Sequence, residues 1–279
     1  MVRSRSFFFS NHRGVILANV ILTRVNNKDK ILMKFLKAFL LISAIALISL
    51  SSTLAFENKL VGYWSFDEGK GSPKDASGNE NHGKIAGEPR WVDGKFGKAL
   101  EFDGKDDHIV VKDHPTLDFT KNLTIMAWFM PKEVMTKRRM MSKNDSIFVM
   151  FDFGDSNTID LLVKPNNDFV ESKTSDWKVD QWYHFAGTYD GKFLRLYVDG
   201  KLEGEKKYGE GIAPSDLDFW IGGDDYGKPT DHFPGIIDEV RIYKHALNEN
   251  QIQKVKEAPA MLQADGNSTT IWGAIKSLQ

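Results

Sequence analysis

From Leu60 to Leu247 the chain alternates apolar and polar positions in short runs broken by Gly, Asp and Asn, the pattern of half-buried strands joined by tight turns. The runs are "LVGYWSF" (60–66), "KALEFDG" (98–104), "HIVV" (108–111), "LTIMAWFM" (123–130), "SIFVMFDF" (146–153), "TIDLLVK" (158–164), "QWYHFAGTYD" (181–190), "KFLRLYVDG" (192–200), "LDFWIGG" (217–223) and "IIDEVRIY" (236–243). Asp190-Gly191 and Asp199-Gly200 suit the left-handed dihedrals of hairpin turns, so residues 181–207 read as a meander of three antiparallel strands. No helical period separates the runs, which excludes a parallel α/β sheet and leaves an all-β sandwich or barrel. The one helical signal comes late. Asn248 and Gln251 form a capping pair, Leu247 and Ile252 a hydrophobic staple, and a short helix follows that is expected to close one edge of the sandwich.

Length and charge narrow the function. A chain of 279 residues has room for a large core. Its 37 basic and 38 acidic residues leave a net charge of -1, no footprint for nucleic acid. Residues 33–55, "MKFLKAFLLISAIALISLSSTLA", place Lys34 and Lys37 before an uncharged run and small residues before Ala55, the layout of a secretory signal peptide. Residues 1–32 precede this second start at Met33 and read as a mis-assigned start or an extended leader. The mature domain is then 56–258, followed by a flexible tail, 259–279. The expected location is secreted, cell-surface or periplasmic, with membrane contact only through an uncleaved signal anchor. With no cysteine, any staple in such an exported chain is packing or metal.

The stretches "GYWSFDEG…DASGNENHG", "GKFGKALEFDGKDDHIVV", "LTIMAWF", "WYHFAGTYDGKFLRLYVDGKL" and "GIIDEVRIYKHALNENQI" occur in the order seen in LamG-like domains of exported bacterial proteins. The chain resembles this laminin G/concanavalin A-like lectin/glucanase family over about residues 58–258. The resemblance implies two antiparallel sheets in a curved jelly roll, frequently a bound calcium, and a ligand surface on the concave sheet or the rim loops. It leaves the function open, because one fold hosts lectins, adhesion modules and glucanases alike.

The carboxylates decide between those. Glucanases of this fold carry their acids on one strand as Glu-x-Asp-x-x-Glu, a stretch this chain lacks. The adjacent Asp238 and Glu239 would point to opposite faces of a regular strand, so they cannot act on one bond. No G-x-S-x-G or H-E-x-x-H occurs either, and no catalytic residue is assigned. For calcium, "DASGNENHG" offers side-chain oxygens from Asp75, Ser77, Asn79 and Asn81 at alternate positions; the competing reading is a set of Asx turns. The resemblance adds Asp67 and Asp238 to that ligand set. Asp238 is expected to face inward, as a calcium ligand or an acceptor for main-chain amides, with Glu239 facing solvent beside Arg241.

A sugar site wants aromatic faces beside polar anchors. The loop 222–235, "GGDDYGKPTDHFPG", supplies Asp224, Asp225, Tyr226 and His232 as rim candidates, against the alternative of a solvated connector. Trp177 lies outside the alternating runs and is expected to be exposed, whereas Trp64, Trp128, Trp182 and Trp220 lie within them and are expected in the core. His82, His108, His114, His184 and His245 lack metal spacing, and "MTKRRMMSK" reads as a strand with an apolar inner face and a basic outer one rather than a membrane edge. The expected function is a non-catalytic extracellular binding or adhesion module for carbohydrate or glycoprotein, supported by calcium. The alternatives are a divergent glycan hydrolase or lyase on the same fold, and a purely structural surface protein.

Overall fold

The computed structural model describes residues 33–34, 36–37, 59–133, 137–151, 157–224 and 231–257. Residues 1–54 and 55–279 are separate units; in the first, 33–34 and 36–37 are helical and exposed. The rest of the leader, the tail 259–279, Met135, Asp225 and Tyr226 lie outside the described residues. Among the described residues no helix is long and apolar enough to cross a membrane.

The second unit is all-β. Its strands are β1 (Leu60–Trp64), β2 (Gly83–Ala86), β3 (Arg90–Asp93), β4 (Lys98–Asp103), β5 (His108–Val111), β6 (Leu123–Pro131), β7 (Arg139–Lys143), β8 (Ile147–Phe151), β9 (Ile159–Val163), β10 (Asp168–Glu171), β11 (Tyr183–Tyr189), β12 (Phe193–Val198), β13 (Lys201–Lys207), β14 (Phe219–Ile221) and β15 (Pro234–Tyr243). One sheet has the order β13-β12-β11-β6-β15-β4-β3, with β1 also on β15; the other has the order β10-β9-β8-β7-β14-β5-β2. Every pairing between these strands is antiparallel, as a jelly-roll sandwich requires.

Alternate residues of the two sheets interdigitate between them. Trp64 stacks on Phe219 at 5.9 Å, and Phe129 gathers Phe151, Phe185 and Phe233 around it. Trp177 joins that cluster, 8% exposed, 5.0 Å from Tyr183 and with its Nε1 donating to the Asn157 carbonyl at 2.9 Å. The expectation of an exposed indole is therefore corrected. The segment between β10 and β11 has no alternation of its own, yet it folds the ring back onto Phe129 and Phe151.

Asp199 and Gly200, at φ 51 and 81, make the two-residue turn between β12 and β13. The β11–β12 connection instead runs 190–192, with Asp190 accepting from the Lys192 and Phe193 N–H groups. Helix α1 (Glu249–Glu257) starts on the reciprocal cap, Asn248 Oδ1 accepting the Gln251 N–H at 3.0 Å and Gln251 Oε1 the Asn248 N–H at 2.9 Å. It covers a face rather than an edge. Leu247, Ile252 and Val255 pack on Met126, Ala186, Tyr197 and Tyr243, outward-facing residues of four neighbouring strands.

Strand β15 explains its two carboxylates. It pairs with β6 along one side, while its other side is shared by β4, at 234–237, and β1, at 240–243. Between the two partners the register slips by one residue, and Glu239 takes φ 57. The bulge breaks the alternation. Asp238 sits opposite Trp128 on the outer side of the sheet, and Glu239 meets residues of that same side, accepting from Tyr63 Oη at 3.0 Å and pairing with Arg241 at 2.7 Å. Both acids are buried, at 0% and 3% exposure: Glu239 is not solvent-facing as expected, and Asp238 lies on the outer side of its sheet rather than in the core, while it does accept a main-chain amide, one of its two expected roles.

Asp238 Oδ2 accepts the Phe96 N–H at 3.0 Å, and a Cβ at Gly94 would lie 2.6 Å from it, so glycine admits the loop to the carboxylate. Burial pushes the Asp238 carboxyl up to about 8, with the Phe96 N–H opposing and the neighbouring Glu239 and Asp67 adding to the rise. The native state therefore holds a proton that the unfolded chain releases near 3.8. Stability from this group is full below that pH, falls as pH rises towards 8, and is level above it.

Asp238→Asn keeps an oxygen for Phe96 and removes the titration. Thermal unfolding at pH 5, 7 and 9 should show a shallower decline than the wild type and a variant at least 1 kcal/mol more stable at pH 9, since a tenfold difference in proton affinity between folded and unfolded chain is worth about 1.4 kcal/mol. Ile252→Ala, at a fully buried position on the inner face of α1, should cost about 2–4 kcal/mol in urea unfolding.

Candidate functional site

The outer faces of the two sheets differ. That of the first sheet is occupied by α1 and, around Trp128, by the 94–97 loop: Lys95 Nζ lies 4.3 Å from the indole centroid and Phe96 packs edge-on at 6.2 Å. Trp128 is thus buried outside the core, against expectation, and Trp182 is only half-buried.

The outer face of the second sheet carries one continuous row, Phe169, Leu162, Phe148, Ser142, Trp220, Val110 and Lys84, each opposite the next. Trp220 points away from the core because its neighbours Phe219 and Ile221 point into it. It is half-buried, and the His108 ring stacks on it at 4.2 Å with planes 17° apart. His232 meets His108 edge-on at 5.4 Å. Burial lowers both imidazoles from their usual value, which favours their neutral forms. His232 is 8% exposed and its Nδ1 has no hydrogen-bond partner.

The described ends of the 222–235 loop are fastened to this face. Ser142 Oγ donates to the Gly223 carbonyl at 3.0 Å, and Arg139 pairs with Asp224 and with Asp231. Asp224 is thereby taken up by Arg139 and buried, while His232 stands at the Trp220–His108 stack.

Beside the stack lies the turn from β4 to β5. The carboxylate oxygens of Asp103, Asp106 and Asp107 come within 4.8 Å of one another and border a groove of about 600 Å³ with Glu88, Arg90 and Glu101. Asp107 is the pin of this turn, accepting the Glu88 N–H at 2.7 Å and the Asp103 N–H at 3.0 Å. Burial raises its carboxyl; Asp103, also partly desolvated, is nonetheless held low by main-chain N–H donors and Lys105.

The residues named for calcium from sequence fall into two groups. Asp75 accepts from the Tyr63 N–H, the Ser77 N–H and hydroxyl and the Asn81 N–H, at 2.8 to 3.0 Å, which ties its loop to β1. Asn79 and Asn81 donate to the Leu60 and Val61 carbonyls. Asp67 accepts from the Lys98 N–H and Asp238 from the Phe96 N–H, both at the loop before β4. Asp67, Asp75 and Asp238 do not bring three carboxylate oxygens within 4.8 Å, as Asp103, Asp106 and Asp107 do. The acidic turn and the Trp220–His108 stack escaped the sequence reading. "GKDDHIVV" read as a turn and a strand, and only the inward Phe219 and Ile221 signal that Trp220 faces out.

Comparison with known proteins agrees with this architecture. Domain 4 of AbnA, a GH43 extracellular arabinanase from Geobacillus stearothermophilus solved with arabinotriose, superposes with a TM-score of 0.59 at 23% identity, over 71% of this chain and 98% of that one. The binding domain of Paraclostridial mosquitocidal protein 1 gives 0.61 at 16%, over 73% and 53%. The ligand-binding domain of botulinum neurotoxin serotype D, solved with N-acetylneuraminic acid, gives 0.58 at 12%, over 75% and 53%. The chain thus spans about half of each toxin domain, and likeness at these identities establishes the fold. No curated protein matches in sequence. The model of the concanavalin A-like lectin/glucanases superfamily matches residues 103–253, from the acidic turn through the stack and β15 into α1, and the chain belongs to that superfamily.

Proposed function

We propose that the protein is a non-catalytic, extracellular carbohydrate-binding module whose ligand lies across the Trp220–His108 stack and the groove at Asp103, Asp106 and Asp107. One observation carries this reading: a flat, half-buried aromatic pair stands on the sheet face that α1 leaves uncovered, beside convergent carboxylates. A pyranose or furanose ring packs its C–H face on such a surface while its hydroxyls donate to the acids. The arabinotriose and N-acetylneuraminic acid bound to the similar domains support a glycan, free or carried on a glycoprotein. Residues 33–55 act as the export signal and 56–258 as the module; an uncleaved signal would tether it to a membrane.

Calcium fits the acidic turn better than the Asp75 loop. Asp103 and Asp106 are exposed, all three donors are carboxylate oxygens, and hard cations prefer such donors. Asp103 and Asp106 would hold the ion, with Asp107 fixing the turn beneath them. The ion would fasten the groove wall and present sites for sugar hydroxyls.

A glycosidase is the second reading, because carboxylates about 5 Å apart with opposed shifts are what a retaining mechanism uses. Here Asp107, the raised member, is 5% exposed, with both oxygens engaged by main-chain N–H groups. It is a strut rather than an acid facing substrate. Release of reducing ends from arabinan, xylan or galactan by the purified protein would reverse that assignment.

Trp220→Ala should weaken binding to the best neutral oligosaccharide at least tenfold in calorimetry while the unfolding temperature stays within a few degrees; unchanged affinity would remove the stack from the site. Excess calcium should raise the unfolding temperature by a few degrees over chelator, since filling a site to 100 times its Kd adds about 2.7 kcal/mol. Asp106→Asn should abolish the shift and Asp75→Asn should retain it. The reverse pattern would seat the ion in the Asp75 loop.

A further inference from the structure

We infer that the groove selects uncharged glycans and rejects acidic ones, a conclusion that rests on the carbohydrate-binding reading above. Its walls carry Glu88, Glu101, Asp103, Asp106 and Asp107 against Arg90, five acids to one base, a formal charge of -4. Among the described residues the nearby cations are already engaged: Arg90 by Glu101 at 2.8 Å, Lys105 by Asp103 at 3.7 Å, Arg138 by Glu133 at 2.7 Å, and Arg139 by Asp224 and Asp231. Lys84 stands at the far end of the row, two strands from Trp220. A divalent ion on Asp103 and Asp106 would leave the wall at -2 but would itself take a carboxylate oxygen, so the repulsion is that of the metal-free wall.

The chemistry of the wall points the same way. Ionised carboxylates accept hydrogen bonds and donate none, so they pair with sugar hydroxyls and have nothing to offer a uronate or sialate oxygen. His232, buried against His108 and with its Nδ1 unpartnered, offers a polar contact at the stack. Repulsion between a ligand carboxylate and this wall acts across less than a Debye length, so salt attenuates it without removing it.

The test is calorimetry on the full protein at pH 7 with paired ligands: lactose against 3′-sialyllactose, and xylotetraose against a glucuronate-bearing xylotetraose, each with calcium and with chelator. The neutral member of at least one pair should bind, its acidic counterpart at least tenfold more weakly, and the gap should narrow between 50 and 500 mM salt. Asp106→Lys, at an exposed position, should narrow it at low salt. An acidic member binding as well as its neutral partner, or a gap indifferent to salt and to Asp106→Lys, overturns the selectivity while the carbohydrate reading stands. Absence of binding by both members of both pairs, and by arabinotriose, overturns the two together.

Discussion

Every residue of β15 is buried, so the main-chain groups and charged side chains it carries find their partners inside the protein or give up their charge. That constraint organises the first sheet. The strand gives one side to β6 and divides the other between β4 and β1, and the change of partner forces the bulge at Asp238 and Glu239. Because the bulge spoils alternation, two adjacent carboxylates reach the same side, one bonded to the loop before β4 and the other to Tyr63 and Arg241. The acids stitch β1 and the 94–97 loop to the centre of the sheet. Arg241 lies 4.0 Å over the Tyr63 ring, so the ion pair is clamped as well as hydrogen-bonded, the condition under which a buried pair is tolerated.

Much of the fold was legible because central strands carry their own pattern. β6, β8, β9, β11, β12 and β15 are apolar enough to announce themselves. The strands that escaped, β2, β3 and β10, lie at sheet edges, where one neighbour supplies the hydrogen bonds and the sequence needs few apolar residues. The helix cap was readable down to its two hydrogen bonds, since capping is local; that α1 lies on a face was not, since the outward Met126, Ala186, Tyr197 and Tyr243 come from four separate strands.

The site was less legible than the fold, for a related reason. Trp177 and Trp220 exchanged the places expected of them. The one outside a strand was pulled into the core by its neighbours in space, and the one inside a strand was turned out by parity. Likewise Asp103, Asp106 and Asp107 look in sequence like solubilising turn residues. Their convergence with His108, Trp220 and His232 depends on β5 and β14 being adjacent in a sheet whose order does not follow the chain.

Helix α1 has a consequence for valency. Among the described residues α1 and the 94–97 loop occupy the outer face of one sheet, so on the proposed reading a glycan laid on the other face contacts the module from one side only. On that reading the domain would hold one chain to whatever carries it, and bridging two chains would require two copies. Crosslinking is then set by how many copies are displayed together and how far apart, quantities that belong to the surface bearing the module rather than to its fold.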